Sequence, residues 1–323
     1  MNEGRARLIL PFAILGAILA VSTASIFIRF AQHNAPSLVI AAFRLTFASL
    51  ILAPLALTRH RAELRSLTRR ELLLGLLSGF FLALHFATWI SSLEYTTVAS
   101  SVVLVSTSPL WVALLAPLVL RERLTRVVLV GMLLALTGGI VIALSDSCTW
   151  QNGLACPSLA EFVKGSAFFG NSLALAGAWT VAGYLLIGRS LRAKMSLVPY
   201  IFVVYSMAAV VLIVIMFAAG ETPLGYPPLT YVWMLLLALV PQLIGHSTYN
   251  WALRYMPAAL VAVTTLGEPI GSTILAYFIL REAPTWIKIG GAVMILAGIY
   301  VASRGKSAHC HTGSEERSRA DQT

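Results

Sequence analysis

Two stretches of the sequence, VSTSPLWVALLAPLVLRE (Val105–Glu122) and TLGEPIGSTILAYFILRE (Thr265–Glu282), align without a gap at an offset of 160 residues. The alignment pairs Pro109 with Pro269, and it pairs the Leu-Arg-Glu ending of one stretch with that of the other. It continues on both sides, through the pairs Leu93/Leu253, Tyr95/Tyr255, Gly131/Gly291 and Gly138/Gly298. A match of this length at one offset indicates an internal repeat, which decides the architecture of the chain.

The composition indicates a membrane protein. Of 323 residues, 58% are hydrophobic and only 11% are charged, which lies outside the usual range of soluble domains. About 20 apolar residues cross a bilayer as a helix, because a helix satisfies its own backbone groups without water. Ten runs have about this length: 8–31, 37–58, 71–93, 96–120, 124–145, 165–188, 197–219, 229–253, 257–280 and 284–303. The connections between them are too short for a soluble catalytic domain.

The repeat is predicted to be inverted. Each copy contains five runs, and because five is odd, the second copy enters the membrane from the opposite side. We therefore predict an all-α membrane protein with ten transmembrane helices in two inverted five-helix repeats, residues 1–145 and 165–303. An extracytoplasmic loop, 146–164, joins the repeats, and a disordered cytoplasmic tail, 304–323, follows them. Some secondary transporters are built in this way, with the substrate near the membrane midplane.

The distribution of positive charge predicts the orientation. Of the 23 Lys and Arg residues, 18 fall in the termini and in alternate connections, as the positive-inside rule describes. Both termini are therefore predicted to be cytoplasmic, in a multi-pass protein of the cell (inner) membrane. Since the net charge of +10 is explained by this distribution, it does not indicate binding to nucleic acid.

Two of the three cysteines, Cys148 and Cys156, fall in the loop that is predicted to face outside. In an oxidising compartment they could form a disulfide, and two free thiols are the equally supported alternative. In the tail, His309, Cys310 and His311 resemble metal ligands, but no fourth ligand follows at a regular spacing. We predict neither a metal site nor a cofactor.

Glu268 and Arg44 are ionisable residues that fall inside predicted spans, where burial of a charge costs about 2.5–3.5 kcal/mol on insertion scales. Glu268 is the deepest, and it could carry a proton, bind a cationic group or form a buried ion pair. Arg44 could hold a substrate carboxylate by a bidentate contact, pair with Glu268, or extend to the interface. The sequence leaves these roles open.

Polar and aromatic side chains in the third and eighth runs are further candidates for a substrate site. Gln242, His246 and Asn250 recur at intervals of four residues, which places them close to one helical face that cannot be exposed to lipid cheaply. In the first repeat, His85 and Trp89 have the same spacing. Each group either lines a cavity or satisfies a neighbouring helix.

Pro109 and Pro269 lie about halfway along their runs, and each removes a backbone hydrogen bond. In transporters with inverted repeats, interrupted helices mark the substrate site. The matched positions of the two prolines favour a hinge or site role over two unrelated packing kinks.

The residues described above resemble those of the EamA-type branch of the drug/metabolite transporter superfamily. The resemblance rests on the motif Pro-x10-Leu-Arg-Glu in both repeats (Pro109–Glu122 and Pro269–Glu282), each followed by a glycine-bearing helix. It covers roughly residues 8–303, and AWTVAGYLLIGR (Ala178–Arg189) is similar to the sixth helix of the family, with Trp179 at its usual tryptophan. The first helix departs, since VSTAS (Val21–Ser25) stands where a tryptophan is common. The resemblance implies a central cavity and the movement of small metabolites, often amino acids or their relatives, usually outward.

The sequence favours a secondary transporter of a small-molecule substrate over two other classes. A membrane-embedded enzyme would need clustered catalytic groups, and the sequence shows none. A channel or ligand sensor on the same scaffold is the third class, but a sensor would need an output domain. The motif GKS (Gly305–Ser307) lacks the first glycine of a phosphate-binding loop, which argues against ATP as the energy source. A homodimer is left open.

The predicted orientation can be tested with fusions at Arg65 and at Gly153. We expect a fluorescent protein fused at Arg65 to fluoresce, because it would lie in the cytoplasm, and alkaline phosphatase fused at Gly153 to be active outside. The same side for both positions would contradict the predicted topology.

Overall fold

The chain, described here from a computed structural model for residues 3–120, 126–150, 154–155 and 158–304, is built almost entirely of helices. The first half contains α1 (Glu3–Ser22 with Ala24–Gln32), α2 (Ser37–Arg59), α3 (Arg69–Tyr95), α4 (Val98–Val105 with Ser108–Leu120) and α5 (Arg126–Ser147). The second half contains α6 (Ser166–Arg192), α7 (Leu197–Ala218), α8 (Pro228–Leu237, Ala238–His246 and Ser247–Ala252), α9 (Ala258–Thr264, Gly267–Leu275 and Ala276–Leu280) and α10 (Trp286–Arg304). Between them lie a hairpin of β1 (Thr149–Trp150) and β2 (Leu154–Ala155), and short helical turns at Arg61–Arg65 and Leu159–Lys164.

The lengths of these helices fit a bilayer. Within the described residues, nine helical stretches are long and apolar enough to cross a membrane, and a tenth apolar stretch, Trp286–Val301, is shorter. The helices fall where the sequence predicts them, with α9 beginning at Ala258 and ending at Leu280. The prediction of an all-α membrane protein with ten spans is confirmed.

Helices α4 and α9 are each interrupted near the middle, at positions that the repeat relates. The first segment of α4 ends at Val105 and the next begins at Ser108, while in α9 the corresponding break lies between Thr264 and Gly267. Pro109 and Pro269 fall in the first turn of the second segments, where an N–H has no intrahelical acceptor and its loss costs little. The prolines therefore stand where each helix restarts.

The contact between α5 and α10 shows that the two halves are inverted. An ideal Cβ at Gly138 of α5 would lie 2.6 Å from the carbonyl oxygen of Gly291 in α10, and one at Gly298 would lie 2.5 Å from that of Gly131. Gly131 and Gly138 are the repeat partners of Gly291 and Gly298, so equivalent residues meet crosswise. Because the early glycine of each helix meets the late glycine of the other, α5 and α10 run antiparallel.

Other contacts between helices also repeat when each helix is replaced by its repeat partner in the other half. Helix α2 packs on its repeat partner α7, as α5 does on α10. Helix α3 packs on α6, and the exchanged pair, α8 and α1, is also in contact. The core between them is formed mainly by Ala, Val, Leu, Ile and Tyr side chains contributed by both halves. The fold is thus a single helical bundle whose halves pack on each other along their length.

Two ion pairs join the halves at the distal end of the bundle, which we define as the end opposite to Glu3 and Arg304. The Arg29 guanidinium lies 3.1 Å from the Glu282 carboxylate, and Glu282 also accepts a hydrogen bond from the Val98 amide at 2.9 Å. The Lys288 ammonium lies 2.6 Å from the Asp146 carboxylate, and both side chains are largely buried. Asn171 donates to the same carboxylate at 2.9 Å. The distal end is therefore closed by charged contacts between the halves.

At the proximal end, which carries Glu3 and Arg304, a carboxylate of the first half caps a helix of the second half. Glu63 accepts hydrogen bonds from the amide and the hydroxyl of Ser196, just before α7 begins. Partial burial raises the pKa of Glu63, but the hydrogen bonds from Ser196 and His60 outweigh burial and hold this pKa below its usual range. The described contacts between the halves at this end are thus hydrogen bonds, whereas those at the distal end include ion pairs.

Cys148 directly precedes β1 and is disulfide-bonded. Cys156, the partner that the sequence suggests, lies outside the described residues, as does the tail that carries His309, Cys310 and His311. The pairing of Cys148 with Cys156 stays a prediction.

The crossing of α5 and α10 can be tested with alanine at its glycines. We expect Gly138→Ala and Gly298→Ala to lower stability by about 1–3 kcal/mol, because each added methyl group overlaps a backbone oxygen that has no room to shift. Thermal unfolding of the purified protein in detergent measures this loss.

The neighbouring glycines provide matched controls. A Cβ at Gly139 would make ordinary contact, 3.6 Å from Leu104, and one at Gly290 would meet nothing within 4 Å. Gly139→Ala and Gly290→Ala should therefore unfold like the wild type. Equal stability of Gly138→Ala and Gly139→Ala would contradict the proposed packing.

Candidate functional site

A cavity of about 50 Å³ lies between the halves, next to the two helix interruptions. It is lined from α3, α4, α6, α8 and α9. Six of its lining residues form three repeat pairs: Trp89/Tyr249, Val105/Thr265 and Ser108/Glu268. The cavity therefore lies at the place where the inverted halves meet, which is where transporters of this architecture bind their substrates.

Glu268 provides the negative charge of the cavity. It is the second residue of the helical segment Gly267–Leu275, and its repeat partner is the hydroxyl residue Ser108. No hydrogen bond or ion pair to the Glu268 side chain is formed by the part of the chain that the structure describes. Glu268 is partly buried, and the N–H groups at the start of the helix favour its carboxylate without providing a partner for its charge. Glu268 is therefore available to a ligand or to a proton.

Aromatic rings form a wall of the cavity. The rings of His85 and Trp89 stack with their centroids 5.9 Å apart, and His85 Nδ1 is 2.9 Å from the carbonyl oxygen of Gly177. The His246 ring lies 6.4 Å from that of His85 and 6.4 Å from that of Tyr249. The two histidines that the sequence singles out are thus brought together in the cavity, as is Trp89.

Arg44 is buried directly behind this wall. Its side chain has no exposed surface, and its guanidinium carbon lies 4.0 Å from the centre of the Phe86 ring and 5.9 Å from that of Trp89. The Nε–H group donates to Gln242 Oε1 at 2.9 Å. Arg44 is within electrostatic range of Glu268, yet the two do not form an ion pair. Of the roles that the sequence leaves open for Arg44, the structure shows neither a pair with Glu268 nor extension to the interface.

Four donor atoms around Arg44 are buried and have no acceptor. They are Arg44 Nη1, Arg44 Nη2, Gln242 Nε2 and Trp89 Nε1. The Tyr249 hydroxyl, which lies on the cavity wall, is also buried and unpaired. Because an unpaired buried donor costs about 1–3 kcal/mol, a concentration of four indicates a place that awaits an acceptor.

Asn250 is engaged in a different network, which holds the scaffold together. Its Oδ1 accepts a hydrogen bond from the Tyr184 hydroxyl at 2.7 Å, and its Nδ2 donates to the Tyr205 hydroxyl at 3.3 Å. All three side chains are buried. The polar stripe on α8 is therefore divided: His246 lines the cavity, Gln242 supports Arg44, and Asn250 joins α8 to α6 and α7.

Two further groups of predicted residues lie elsewhere. Trp179 is 54% exposed and packs edge-on against Trp111, with ring centroids 4.9 Å apart, so the structure does not bring it to the cavity. Pro109 and Pro269 border the interruptions of α4 and α9 and do not line the cavity. Their hinge role stays a prediction.

Sequence reasoning missed Tyr249, Phe86 and Ser108 as components of the site. Tyr249 and Ser108 are the repeat partners of Trp89 and Glu268, so applying the offset of 160 to each candidate would have found them. Phe86 has no such signal, because it is one of 14 phenylalanines and only the fold places its ring under Arg44.

A larger groove of about 230 Å³ lies between α4, α5, α9 and α10. Its lining is almost wholly apolar, and the one ammonium group there, that of Lys288, is already paired with Asp146. The other polar groups of its lining are the hydroxyls of Ser100, which donates to Asp146, and of Thr273, and we therefore place the candidate site in the smaller cavity.

Comparison with known proteins identifies the fold. Residues 8–144 and 168–304 each match the sequence profile of the EamA-like transporter family. The two matches correspond to α1–α5 and α6–α10. A solved crystal structure superposes with a TM-score of 0.64 over 91% of this chain and 96% of that chain, at 18% sequence identity.

Two curated relatives extend over nearly the whole chain. The uncharacterized transporter YetK of Bacillus subtilis (strain 168) is 24% identical over 311 residues, which are 95% of this chain and 91% of YetK. The pseudopaline exporter CntI of Pseudomonas aeruginosa (strain UCBPP-PA14) is 25% identical over 302 residues, which are 92% of this chain and 98% of CntI.

Scaffold and cavity residues can be separated by their effects on stability. We expect Asn250→Leu to lower the unfolding free energy by about 1–3 kcal/mol, because it leaves the buried Tyr184 hydroxyl without its acceptor and removes one of the partners of the Tyr205 hydroxyl. Glu268→Gln should cost nothing or stabilise, because it removes a partly buried charge that has no partner. Thermal unfolding in detergent compares the two, and a greater loss for Glu268→Gln would contradict the assignment.

Proposed function

The chain belongs to the EamA-like transporter family, and from this we propose that it is a secondary exporter of a small amino-acid-like or drug-like metabolite. Membership of this family also means that the chain is a transporter and not an enzyme, as its sequence predicts. A transporter of this family acts on a small molecule in a membrane. The identity of the cargo, the direction and the mechanism are the parts that we propose.

The observation that supports this proposal most directly is the position of Glu268. An unpaired carboxylate lies in a cavity between inverted halves, beside the break in α9, and aromatic rings line the same cavity. A carboxylate attracts a cationic group, and aromatic faces add to that attraction. We propose that Glu268 binds the amine of the cargo and takes up a proton when the cargo has left.

Alternating access is supported by the unequal closure of the two ends. In this conformation, the distal end is held by the pairs Arg29–Glu282 and Lys288–Asp146, each of which joins one half to the other. Opening that end requires both pairs to separate. We propose that the halves rock against each other about the cavity, with the interruptions at Pro109 and Pro269 as hinges.

Outward movement is supported by a relative and by the charge distribution. CntI is named as an exporter. The positively charged connections predict that the distal end faces outside. We therefore propose that cargo enters from the cytoplasm and leaves at the distal end, in a protein of the inner membrane with both termini in the cytoplasm.

The proposal is tested with purified protein in liposomes, supplied with amino acids and cationic drugs across an imposed pH gradient. We expect the gradient to accelerate cargo movement by the wild type. Glu268→Gln should abolish this acceleration, because the variant can neither take up a proton nor form the charged contact with an amine. Glu268→Asp, which keeps the charge, should retain part of it.

Glu71 provides a matched control. It lies in the first turn of α3, where it is hydrogen-bonded to Thr68 and remote from the cavity, so Glu71→Gln should transport like the wild type. Gradient-driven transport at the wild-type rate by folded Glu268→Gln would remove Glu268 from the mechanism.

A further inference from the structure

We propose that Arg44, Gln242 and Trp89 form a carboxylate-binding subsite behind the cavity, and hence that the cargo carries a free carboxylate in addition to an amine. This inference rests on the proposed function and narrows it. Of the two cargo classes, it selects the amino-acid-like one and excludes cationic drugs that have no acid group.

The region around Arg44 contains more hydrogen-bond donors than acceptors. Arg44 Nη1, Arg44 Nη2, Gln242 Nε2 and Trp89 Nε1 are all donors, all buried and all without an acceptor. The Gln242 amide is oriented by its other end, since its oxygen already accepts from Arg44 Nε, and its NH₂ group is therefore presented as a donor. Donors that are buried in this way need an acceptor, and an acceptor group of a ligand would satisfy several of them at once.

A carboxylate is the acceptor that best matches the unpaired nitrogens of Arg44. A guanidinium keeps its charge in proteins, and its two terminal nitrogens match the two oxygens of a carboxylate in a planar bidentate contact. The Phe86 ring lies 4.0 Å below the guanidinium carbon and holds its plane, while Nε is bound to Gln242. Arg44 is thus fixed with both terminal nitrogens free.

Trp89 lies between the cavity and the buried donors. Trp89 belongs to both regions, because it lines the cavity and its ring centre lies 5.9 Å from the Arg44 guanidinium carbon. Its indole N–H is one of the unpaired donors. In this conformation, the four donor atoms are closed off from solvent, and a shift of the Trp89 ring would connect them to the cavity.

Arg44 and Glu268 provide opposite charges to a ligand. Arg44 and Glu268 are within electrostatic range but not in contact. A zwitterion with its carboxylate at Arg44 and its ammonium at Glu268 would pair both charges at once. An amine without a carboxylate would leave Arg44 uncompensated, and the cost of a buried unpaired charge would oppose its binding.

The inference is tested by export from liposomes of a mixture of compounds that share their side chains and differ in the acid group. Liposomes containing the full-length protein are loaded with the common neutral amino acids, the amide of each and the decarboxylated amine of each. Mass spectrometry then follows what leaves. We expect amino acids with a free carboxylate to leave at least tenfold faster than their own amides and amines.

Two variants connect this selectivity to the subsite. Arg44→Lys keeps the charge and loses the bidentate geometry, and it should reduce amino-acid efflux at least tenfold. Trp89→Phe is the milder change, since it keeps an aromatic ring while it removes the indole N–H together with the five-membered part of the indole, and we expect the apparent affinity for amino acids to fall severalfold. Trp251→Phe, remote from the cavity on the last turn of α8, is the matched control and should behave like the wild type.

The outcomes separate the two levels of the proposal. If amides and amines leave as fast as amino acids and Trp89→Phe has no effect, the carboxylate subsite is wrong, while the exporter remains. If Arg44 serves only to balance Glu268, Arg44→Lys slows amines and amino acids equally, which also overturns the subsite. If nothing leaves faster than from liposomes without protein, the amino-acid-like cargo class of the proposed function falls together with the subsite.

Discussion

The structure depends on one constraint: within a bilayer, a backbone that leaves its helix must do so where protein, and not lipid, surrounds it. Helices α4 and α9 break at repeat-related positions, after Val105 and after Thr264, and both breaks adjoin the same cavity. The prolines that follow are tolerated because each stands in the first turn of a new segment. Glu268 is the second residue of the segment that restarts α9, so the break and the charge of the site lie at the same point of the chain. The cavity exists where the two interruptions meet.

The repeat determines how the two halves pack as well as how they are oriented. Glycines at matched positions let α5 and α10 approach until the backbone of one touches the backbone of the other. Because this contact joins a helix to its own counterpart, each glycine has a related role twice, once in each half. The site does not share this equality: Glu268 faces the cavity in one half and Ser108 in the other, so the negative charge comes from a single repeat. The packing of the helices is thus nearly symmetric, whereas the charge that lines the cavity is not.

Much of the fold could be predicted from the sequence, since apolar length and the offset of 160 determine the ten helices and their inversion. The prolines also marked the interruptions, although residue type alone does not decide this, since Pro54 lies inside the unbroken helix α2. Side-chain partners could be predicted less well. The sequence offered a pairing of Arg44 with Glu268, but the structure pairs Arg44 with Gln242, which lies 198 residues away along the chain. Similarly, Trp179 matched a family position yet lies on the outside of the bundle, because its direction depends on the rotation of α6 and not on its residue type.

Helix α8 shows what a local change of winding does to a polar pattern. From Ala238 to His246 the backbone is a π-helix, in which the Ser247 amide bonds to the oxygen of Gln242, five residues earlier. A π-helix turns through a smaller angle per residue than an α-helix, so it changes the directions in which His246 and Asn250 leave the helix axis relative to Gln242. Gln242, His246 and Asn250 therefore contact Arg44, the cavity and the tyrosines of α6 and α7 respectively. Three polar residues at intervals of four, on one helix, therefore contact three different parts of the structure.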